Sequence, residues 1–264
     1  MLADYKSGKY SAHASNLGAL LAEKISIQFD APAYIVDPIT TDEFIEIARI
    51  SGVQGIERKS RSHALNIKFC AQKTAKELNL NINNSKFIVA HLGTGFSIAA
   101  VKNGKIIDVN DALLGTGPFS IERAGTLPIS GVLDQRYLNR QSRDEIKTLF
   151  SKNSGLKGYI GTNRFTEIEK KIMAGDQYAE LIVDAMVYQI AKEIGGLHAS
   201  FSGKTDALII TGGLAHSKLL ISKLNKYINY ITPHKIFAGS FELEALAGGV
   251  LHVLSGEELA KEYT

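Results

Sequence analysis

The sequence has 264 residues, of which 45% are hydrophobic and 22% are charged, and its net charge is +3. This composition excludes a largely disordered chain, and the length suffices for one large domain or two modest ones. The small charge gives no reason to expect a nucleic acid or a membrane as partner. No apolar run reaches the ~18 residues of a membrane span, and the N-terminus lacks a secretory signal, so we expect a soluble, cytoplasmic protein.

The N-terminal segment predicts one helix and one strand. Residues 11–26 place leucine and isoleucine at helical spacing, which predicts an amphipathic helix. The short apolar run Tyr34–Val36 predicts a strand that ends at Asp37 and Pro38. A lone strand cannot form a sheet. The strand therefore either joins strands formed later in the chain or lacks its partners.

The next part of the chain predicts two helices and three strands. One helix begins near Thr40, and another covers about residues 60–79. The runs FIVAHL, FSIAAV and KIIDVN then predict strands. Gly93-Thr94-Gly95 joins the first two, and Asn103-Gly104 joins the second and third because a type I′ turn needs positive φ at both central positions. The three strands are therefore expected to be antiparallel.

The remaining chain predicts a loop and then helices mixed with strands. Residues 112–133 are rich in Gly, Pro and Ser and predict a loop, and the longest helix covers about residues 177–201. The run DALIITGGLAHS predicts a strand, a Gly-Gly turn and a helix, and HKIFAG predicts a further strand before a last helix at about residues 242–260. This order predicts an α/β fold with a mixed sheet.

Two glycine turns are candidate phosphate sites. Gly93 and Gly95 lie between strands beside His91, and Gly212-Gly213 follows a strand and opens a helix. Backbone N–H groups at such turns form anion sites, and a missing Cβ lets phosphate oxygens approach. A tight hairpin explains the first turn equally simply, and the pattern is not a dinucleotide fingerprint. Together the turns predict a nucleotide held across a cleft.

Ordered motifs along the chain resemble the butyrate kinases from about Tyr10 to the last residues. They include HASNLGALLA, YIVDP, IERKSRSHALN, IVAHLGTGFSIAAVKNGKIIDVNDAL, GTGPFSIERAGTLP, ALIITGGLAHS and FELEALAGGVLHVLSGEE. That family is related to acetate kinase, within the larger group that holds sugar kinases, actin and Hsp70-type ATPases. The resemblance implies an α/β, RNase H-like (actin-like ATPase) fold that binds ATP.

The resemblance also implies that a family segment is missing. Butyrate kinases begin with a strand, an N-P-G-S-T-S phosphate turn and an arginine-bearing segment, which this sequence does not contain. We therefore expect one complete RNase H-like domain at residues 40–240 and remnants of a truncated first domain at residues 1–38 and 241–264. The apolar faces of the remnants are expected to be exposed or to cover a partner chain.

The reaction implied by the resemblance is ATP plus butanoate giving ADP and butanoyl phosphate, with Mg²⁺. Arg123 resembles the active-site arginine, and His63 the histidine that stabilises the transferring phosphoryl group. Asp37 resembles a catalytic and metal-binding carboxylate, and Glu244 its partner in binding Mg²⁺. Without the family, these residues have simpler explanations: a salt bridge of Arg123 with Glu122, a core histidine, a turn residue and a solvated carboxylate.

The resemblance assigns further residues to ATP and to the carboxylate. Those implied for the nucleotide are His91, Gly93, Thr94 and Gly95 in a phosphate loop, and Gly212 and Gly213 in an adenosine turn. Those implied for the substrate are His13, Asn16 and Ser62. Relatives often carry Gly or Asn in place of Thr94, a β-branched residue that restricts the backbone of the phosphate loop. They often carry a bulky aromatic in place of Ser62, which implies a different acyl-chain preference.

Two other functions stay open at this point. One is a non-catalytic remnant that binds nucleotide or forms oligomers. The other is a kinase for acetate, propionate or a branched-chain carboxylate. Whether the chain is a butyrate kinase or a kinase for another carboxylate, the expected partners are ATP and a small carboxylate, with neither nucleic acid nor membrane involved. The family also implies a homo-oligomer.

Overall fold

A five-stranded mixed sheet forms the centre of the chain. The computed structural model describes residues 1–9, 14–137 and 139–263. The strands are β1 (Lys86–Leu92), β2 (Phe96–Lys102), β3 (Lys105–Val109), β4 (Ala207–Gly212) and β5 (His234–Ala238). Their order is β3-β2-β1-β4-β5. β1, β2 and β3 pair antiparallel, whereas β4 runs parallel to β1 and β5 parallel to β4. The predicted mixed α/β sheet is confirmed.

Both hairpins of the sheet form where the glycine turns predict them. Leu92 pairs with Phe96, which leaves Gly93, Thr94 and Gly95 as a three-residue loop. Asn103 and Gly104 have φ of 54° and 74°, the left-handed values that a type I′ turn requires. The prediction of three antiparallel strands is confirmed.

Helices surround the sheet. They are α1 (Leu2–Ser7), α2 (Leu17–Phe29), α3 (Glu46–Arg49), α4 (Ala64–Glu77), α5 (Ile129–Tyr137), α6 (Arg143–Lys152), α7 (Gly155–Ile160), α8 (Phe165–Met173), α9 (Gln177–Ser200), α10 (Lys218–Ile228) and α11 (Glu242–Leu254). Short 3₁₀ helices cover Ala14–Asn16, Ile82–Asn84 and Gly213–His216. The predictions of a helix near residues 60–79 and of a long helix near residues 177–201 are confirmed by α4 and α9.

The sheet is buried on both faces because successive residues of a strand point to opposite sides. In β1, Ile88 and Ala90 pack in a core with α9 and α10. Phe87 and Val89 pack in a second core with α4, which also holds Cys70. Burial raises the pKa of the Cys70 thiol to about 11, as expected for a structural rather than a nucleophilic cysteine.

The predicted strand Tyr34–Val36 is wrong. These residues belong to no strand and no helix. Val36 instead packs against α11, where a Cβ on Gly249 would come 2.5 Å from Val36 Cγ1. The apolar run therefore packs against a helix and has no neighbouring strand, which β structure needs.

The helix predicted from Thr40 shrinks to the four residues of α3. The backbone before it is drawn to the edge of the sheet, since Ile45 N donates to Ile107 O at 3.2 Å and Ile106 N donates to Glu43 Oε2 at 2.8 Å. These bonds satisfy donors and acceptors of the edge strand β3. The pairing with a distant strand overrides the local helical pattern.

Three boundaries also differ from the predictions. The helix predicted at residues 11–26 is observed as α2, whose residues 17–29 lie further along the chain, while residues 11–13 lie outside the described ranges. Part of the predicted loop at residues 112–133 is helical, since α5 begins at Ile129 directly after Pro128. The last helix ends at Leu254 because Gly256 turns the chain with φ of 78°.

The terminal segments, residues 1–38 and 241–263, bury few of their apolar side chains. Their buried hydrophobic residues within the described ranges are Ala19 and Ala245. The large side chains that α2 and α11 leave exposed are Leu17, Leu21, Ile25, Ile27, Phe29, Leu243, Leu246, Leu251 and Leu254. The expected exposure of these segments is therefore present. Over the described ranges, no helix combines the length and the apolarity needed to cross a membrane.

Candidate active site

Two stacked histidines lie where α4 meets the sheet. His63 directly precedes α4, and His91 is near the end of β1. Their ring centroids are 3.9 Å apart with an interplanar angle of 13°. His63 Nδ1 is 2.8 Å from Ser97 Oγ on β2, and the His63 backbone N–H donates to the same oxygen at 3.2 Å. Ser97 therefore fixes the position of the His63 ring.

His91 is buried beneath its neighbour. Its exposed fraction is 5%, and its Nδ1 is 3.0 Å from Asn66 Oδ1 on α4. Burial lowers the pKa of His91 well below the usual value, and the nearby His63 lowers it further. His91 is therefore a neutral imidazole at neutral pH.

The loop between β1 and β2 depends on its glycines for close approach. A Cβ on Gly93 would come 3.2 Å from His91 Nε2. A Cβ on Gly95 would overlap the guanidinium of Arg123. Thr94 is exposed and its backbone is not left-handed, so the loop accommodates a β-branched residue there. The hairpin loop is thus in contact with a histidine on one side and an arginine on the other.

Arg123 reaches this loop from the segment after β3. Its Nη1 donates to Ala112 O, and the nearby Ser120 Oγ donates to Thr94 O at 2.8 Å. Burial lowers the pKa of the guanidinium, against the opposing effect of Glu122 and Asp111, and arginine remains charged. Glu122 forms its ion pair with Lys157 at 3.7 Å, which disfavours the simple salt bridge considered for Arg123.

Gly212 brings the end of β4 against the end of β1. It has φ of 93°, and a Cβ there would overlap the carbonyl group of Leu92. Its N–H and C=O bond with Gly239 at 3.0 Å in both directions. A Cβ on Gly213 would meet open space. The helix that this turn opens is a four-residue 3₁₀ helix, and α10 begins only after the Ser217 cap.

Asp37 is paired with a lysine of α4. Lys68 Nζ is 2.7 Å from Asp37 Oδ1 and 3.3 Å from Glu43 Oε1. Burial acts to lower the pKa of Lys68, but the two carboxylates outweigh it and raise the value. Ser62 N donates to Ile39 O at 3.3 Å, so the chain after Asp37 passes beside the start of α4. Asp37 also has a left-handed backbone, with φ of 38°.

The Mg²⁺ ligands implied by the family fit this arrangement only in part. Within the described ranges, no group of three or more His, Cys, Asp or Glu side chains is placed to hold a metal ion. Mg²⁺ needs only one or two carboxylates. Lys68 pairs with both Asp37 and Glu43, and the role of Asp37 in binding Mg²⁺ stays a prediction. Glu244 is exposed on the first turn of α11, and its role stays a prediction.

Two of the three residues predicted to bind substrate lie within the described ranges. Ser62 is 3% exposed, and its hydroxyl has no hydrogen-bond partner among the described residues. The Asn16 amide donates to Tyr5 O at 3.1 Å, which places it at the contact of α1 with α2. His13 lies outside the described ranges.

The structure therefore brings six of the predicted residues into one chain of contacts. His63 stacks on His91, His91 contacts Gly93, and Gly95 contacts Arg123, while Gly212 joins this group through Leu92. The sequence analysis missed the residues that hold them. Of these, Asn66 had a signal, because it lies three residues after His63 on one helix.

Comparison with known proteins identifies close relatives. The acetokinase family model matches residues 50–228. A relative in Listeria monocytogenes serotype 4a, named "Probable butyrate kinase", is 47% identical over 263 residues, covering 100% of this chain and 74% of that protein.

Solved structures share the fold. Acetate kinase of Porphyromonas gingivalis has a TM-score of 0.82 at 21% identity, covering 96% of this chain and 72% of its own. A propionate kinase of Francisella tularensis has a TM-score of 0.79 at 22% identity, covering 93% and 71%. These similarities confirm the predicted fold class. The family match and the sequence identity together show that the chain belongs to the acetokinase family.

Proposed function

We propose that this chain is a carboxylate kinase of the butyrate kinase type, which converts ATP and butanoate to ADP and butanoyl phosphate. The observation that carries the proposal is the contact of the Arg123 guanidinium with Gly95, directly beside the stacked His63 and His91. The proposal is further supported by the 47% identity to a relative that bears the name of this activity.

The glycine turns are suited to hold the phosphates of ATP. The Gly93 N–H donates to Gly95 O within the loop, and the absent Cβ of Gly95 leaves room for the Arg123 guanidinium, which is suited to receive phosphate oxygens. Gly212 is next to Leu92, so a nucleotide bound at the end of β4 would extend its phosphates toward this loop. Gly213 has open space above its Cα for the adenosine.

The transfer step requires charge stabilisation and in-line placement. A butanoate oxygen attacks the γ-phosphorus, forms the new P–O bond, and the bond to the β-phosphate oxygen breaks as ADP leaves. Arg123 is placed to donate two parallel hydrogen bonds to oxygens of the migrating group. His63, whose ring Ser97 fixes, is suited to stabilise negative charge on the same group. Bound Mg²⁺ supplies further neutralisation of phosphate charge.

The substrate and the domain division are also proposals. The unpaired hydroxyl of Ser62, directly before His63, supports its place beside the carboxylate. The division into residues 40–240 and residues 1–38 with 241–264 is supported by the contrast in burial between these regions. The cytoplasmic location and the homo-oligomer stay predictions.

A coupled assay with butanoate, ATP and Mg²⁺ tests the function. We expect ADP and a hydroxylamine-trappable acyl phosphate to form in equal amounts, and Arg123→Ala to slow the formation of both about 10³-fold. Arg164→Ala is the matched control, since Arg164 is a largely exposed arginine that pairs with Glu167 on the surface. ATP binding without turnover would favour a non-catalytic nucleotide-binding protein. A series of acetate, propionate, butanoate and branched-chain carboxylates tests the acyl preference.

A further inference from the structure

A buried hydrogen-bond network surrounds the side chain of Asn66. Asn66 is 2% exposed and lies on α4. Its Oδ1 is 3.0 Å from His91 Nδ1 and 3.1 Å from Thr211 Oγ1. Its Nδ2 is buried and has no hydrogen-bond partner among the described residues. The Cys70 Sγ, at 3.8 Å, is a third and weaker neighbour of Asn66 Oδ1. Two amide hydrogens are therefore unpaired while the amide oxygen has three neighbours.

The Thr211 hydroxyl reveals the same imbalance. It has one hydrogen, yet it lies within hydrogen-bonding distance of two acceptors, Asn66 Oδ1 at 3.1 Å and Gly239 O at 3.3 Å. If the hydrogen goes to Asn66, the Thr211 and Gly239 oxygens face each other without a hydrogen between them. If it goes to Gly239, the Thr211 and Asn66 oxygens do so.

Rotating the Asn66 amide by 180° about its Cβ–Cγ bond removes this conflict. The rotation exchanges oxygen and nitrogen and leaves the shape of the side chain unchanged. Nδ2 then donates one hydrogen to His91 Nδ1 and the other to Thr211 Oγ1, and the hydroxyl donates to Gly239 O. One buried carbonyl oxygen lacks a partner in place of two N–H hydrogens, which is the more common situation in proteins.

We propose that Asn66 is a positioning residue that donates to His91 Nδ1 and thereby holds the ring proton of His91 on Nε2. A neutral imidazole carries one proton, so a nitrogen that accepts a hydrogen bond leaves the proton on the other. The Nε2 atom lies beside Gly93, since a Cβ there would be 3.2 Å away. The network therefore presents an N–H donor to the hairpin loop.

This donor is suited to an anionic phosphate oxygen, a role that rests on the proposed function. With the opposite tautomer, His91 would direct a lone pair at the same place and repel such an oxygen. Asn66 contacts His91 near the end of β1 and Thr211 near the end of β4. Through these contacts it links the glycine turns that follow both strands to the His91 Nε2 atom.

Long-range ¹H–¹⁵N NMR spectra of the full ¹⁵N-labelled chain without nucleotide test the tautomer. The chain has seven histidines, and the signals missing from His91→Gln identify His91. We expect the unprotonated nitrogen, which resonates far downfield, to be Nδ1 and the protonated one to be Nε2. A wild-type spectrum with the proton on Nδ1 overturns the proposal, and this result does not depend on any variant.

The substitution Asn66→Asp tests the cause. A carboxylate only accepts, so we expect Nδ1 of His91 to become protonated and its resonance to move upfield. Asn84→Asp is the matched control, because Asn84 is exposed on the 3₁₀ helix Ile82–Asn84, and it is expected to leave the His91 signals unchanged. An unchanged His91 spectrum in Asn66→Asp contradicts the proposed role of Asn66.

Titration with ATP and Mg²⁺ separates this proposal from the proposed function. We expect a shift of the His91 Nε2 resonance on binding and at least a tenfold weaker affinity in Asn66→Asp. If wild-type protein binds no ATP, the proposed function and the phosphate role fail, while the nucleotide-free spectrum still decides the tautomer. If ATP binds and the proton is on Nδ1, only the role of Asn66 fails.

Discussion

Residues 40–240 and the terminal segments both contain helices rich in leucine and isoleucine, but they bury them very differently. β1 and β4 are almost completely buried, with cores on both faces of the sheet. α2 and α11 bury one alanine each. The contrast teaches that apolar content does not stabilise a helix until another surface covers it. All six contacting site residues belong to the well-buried region.

The largest effect is expected at Arg123. We expect Arg123→Ala to lower kcat/KM for butanoate about 10³-fold, or about 4 kcal/mol, because a charged donor at the migrating phosphoryl group is lost. Gly95→Ala is expected to act in the same direction by displacing the guanidinium without removing it. Steady-state kinetics measure both. Wild-type rates in Arg123→Ala would show that the site is not formed in this region.

A matched pair of core and terminal substitutions measures the contrast in stability. Ile209 on β4 is fully buried, and Leu251 on α11 is 63% exposed. We expect Ile209→Ala to lower the free energy of unfolding by about 3 kcal/mol, and Leu251→Ala by less than about 0.5 kcal/mol. Urea unfolding followed by circular dichroism compares them. A large loss in Leu251→Ala would indicate that α11 is covered in solution.

Two glycine substitutions sharpen the contrast further. Gly212→Ala forces a Cβ into the Leu92 carbonyl at a left-handed residue, and we expect a loss of about 2–3 kcal/mol. Gly248 lies within α11 with open space around its Cα. Gly248→Ala is expected to stabilise that helix by up to about 1 kcal/mol. A lower melting temperature for Gly212→Ala and a higher one for Gly248→Ala would support the contrast between the two regions, whereas equal changes would contradict it.

The smallest effect is a pH dependence from His91. Its pKa is lowered in the folded chain, so below the usual value near ~6.5 the unfolded chain binds more protons. Stability is therefore expected to fall as the pH drops below about 6.5, by at most about 1.4 kcal/mol per pH unit for one proton. His91→Gln is expected to remove this slope, and the exposed His216→Gln is the control. Equal slopes in wild type and His91→Gln would rule out His91 as the source.

The parts of the fold that depend on local pattern were predictable. Short apolar runs defined β1, β2 and β3, and Asn103-Gly104 defined their second turn, because both signals lie within a few residues. The segments before α3 and at Tyr34–Val36 were not predictable. Their structures are decided by contacts with β3 and α11, which are distant along the chain.

The family resemblance named candidate residues of the site, but the contacts between them could not be predicted from the sequence. Family resemblance pointed to Arg123 and His91, yet Arg123 lies 28 residues after Gly95, and only the folded chain brings its guanidinium over that glycine. Asn66 was missed because its spacing to His63 does not show which distant strands it contacts. Its importance lies in the two strands that it bonds to.

The lysine of α4 has a mechanical consequence. Lys68 joins Asp37, where the N-terminal segment ends, to Glu43, whose other oxygen accepts from Ile106 on the edge strand. One ammonium group therefore tethers the N-terminal segment to the sheet and limits how far it can pivot. Lys68→Met would cut that tether while keeping the bulk of the side chain, and the first sign would be faster amide exchange around residues 37–43.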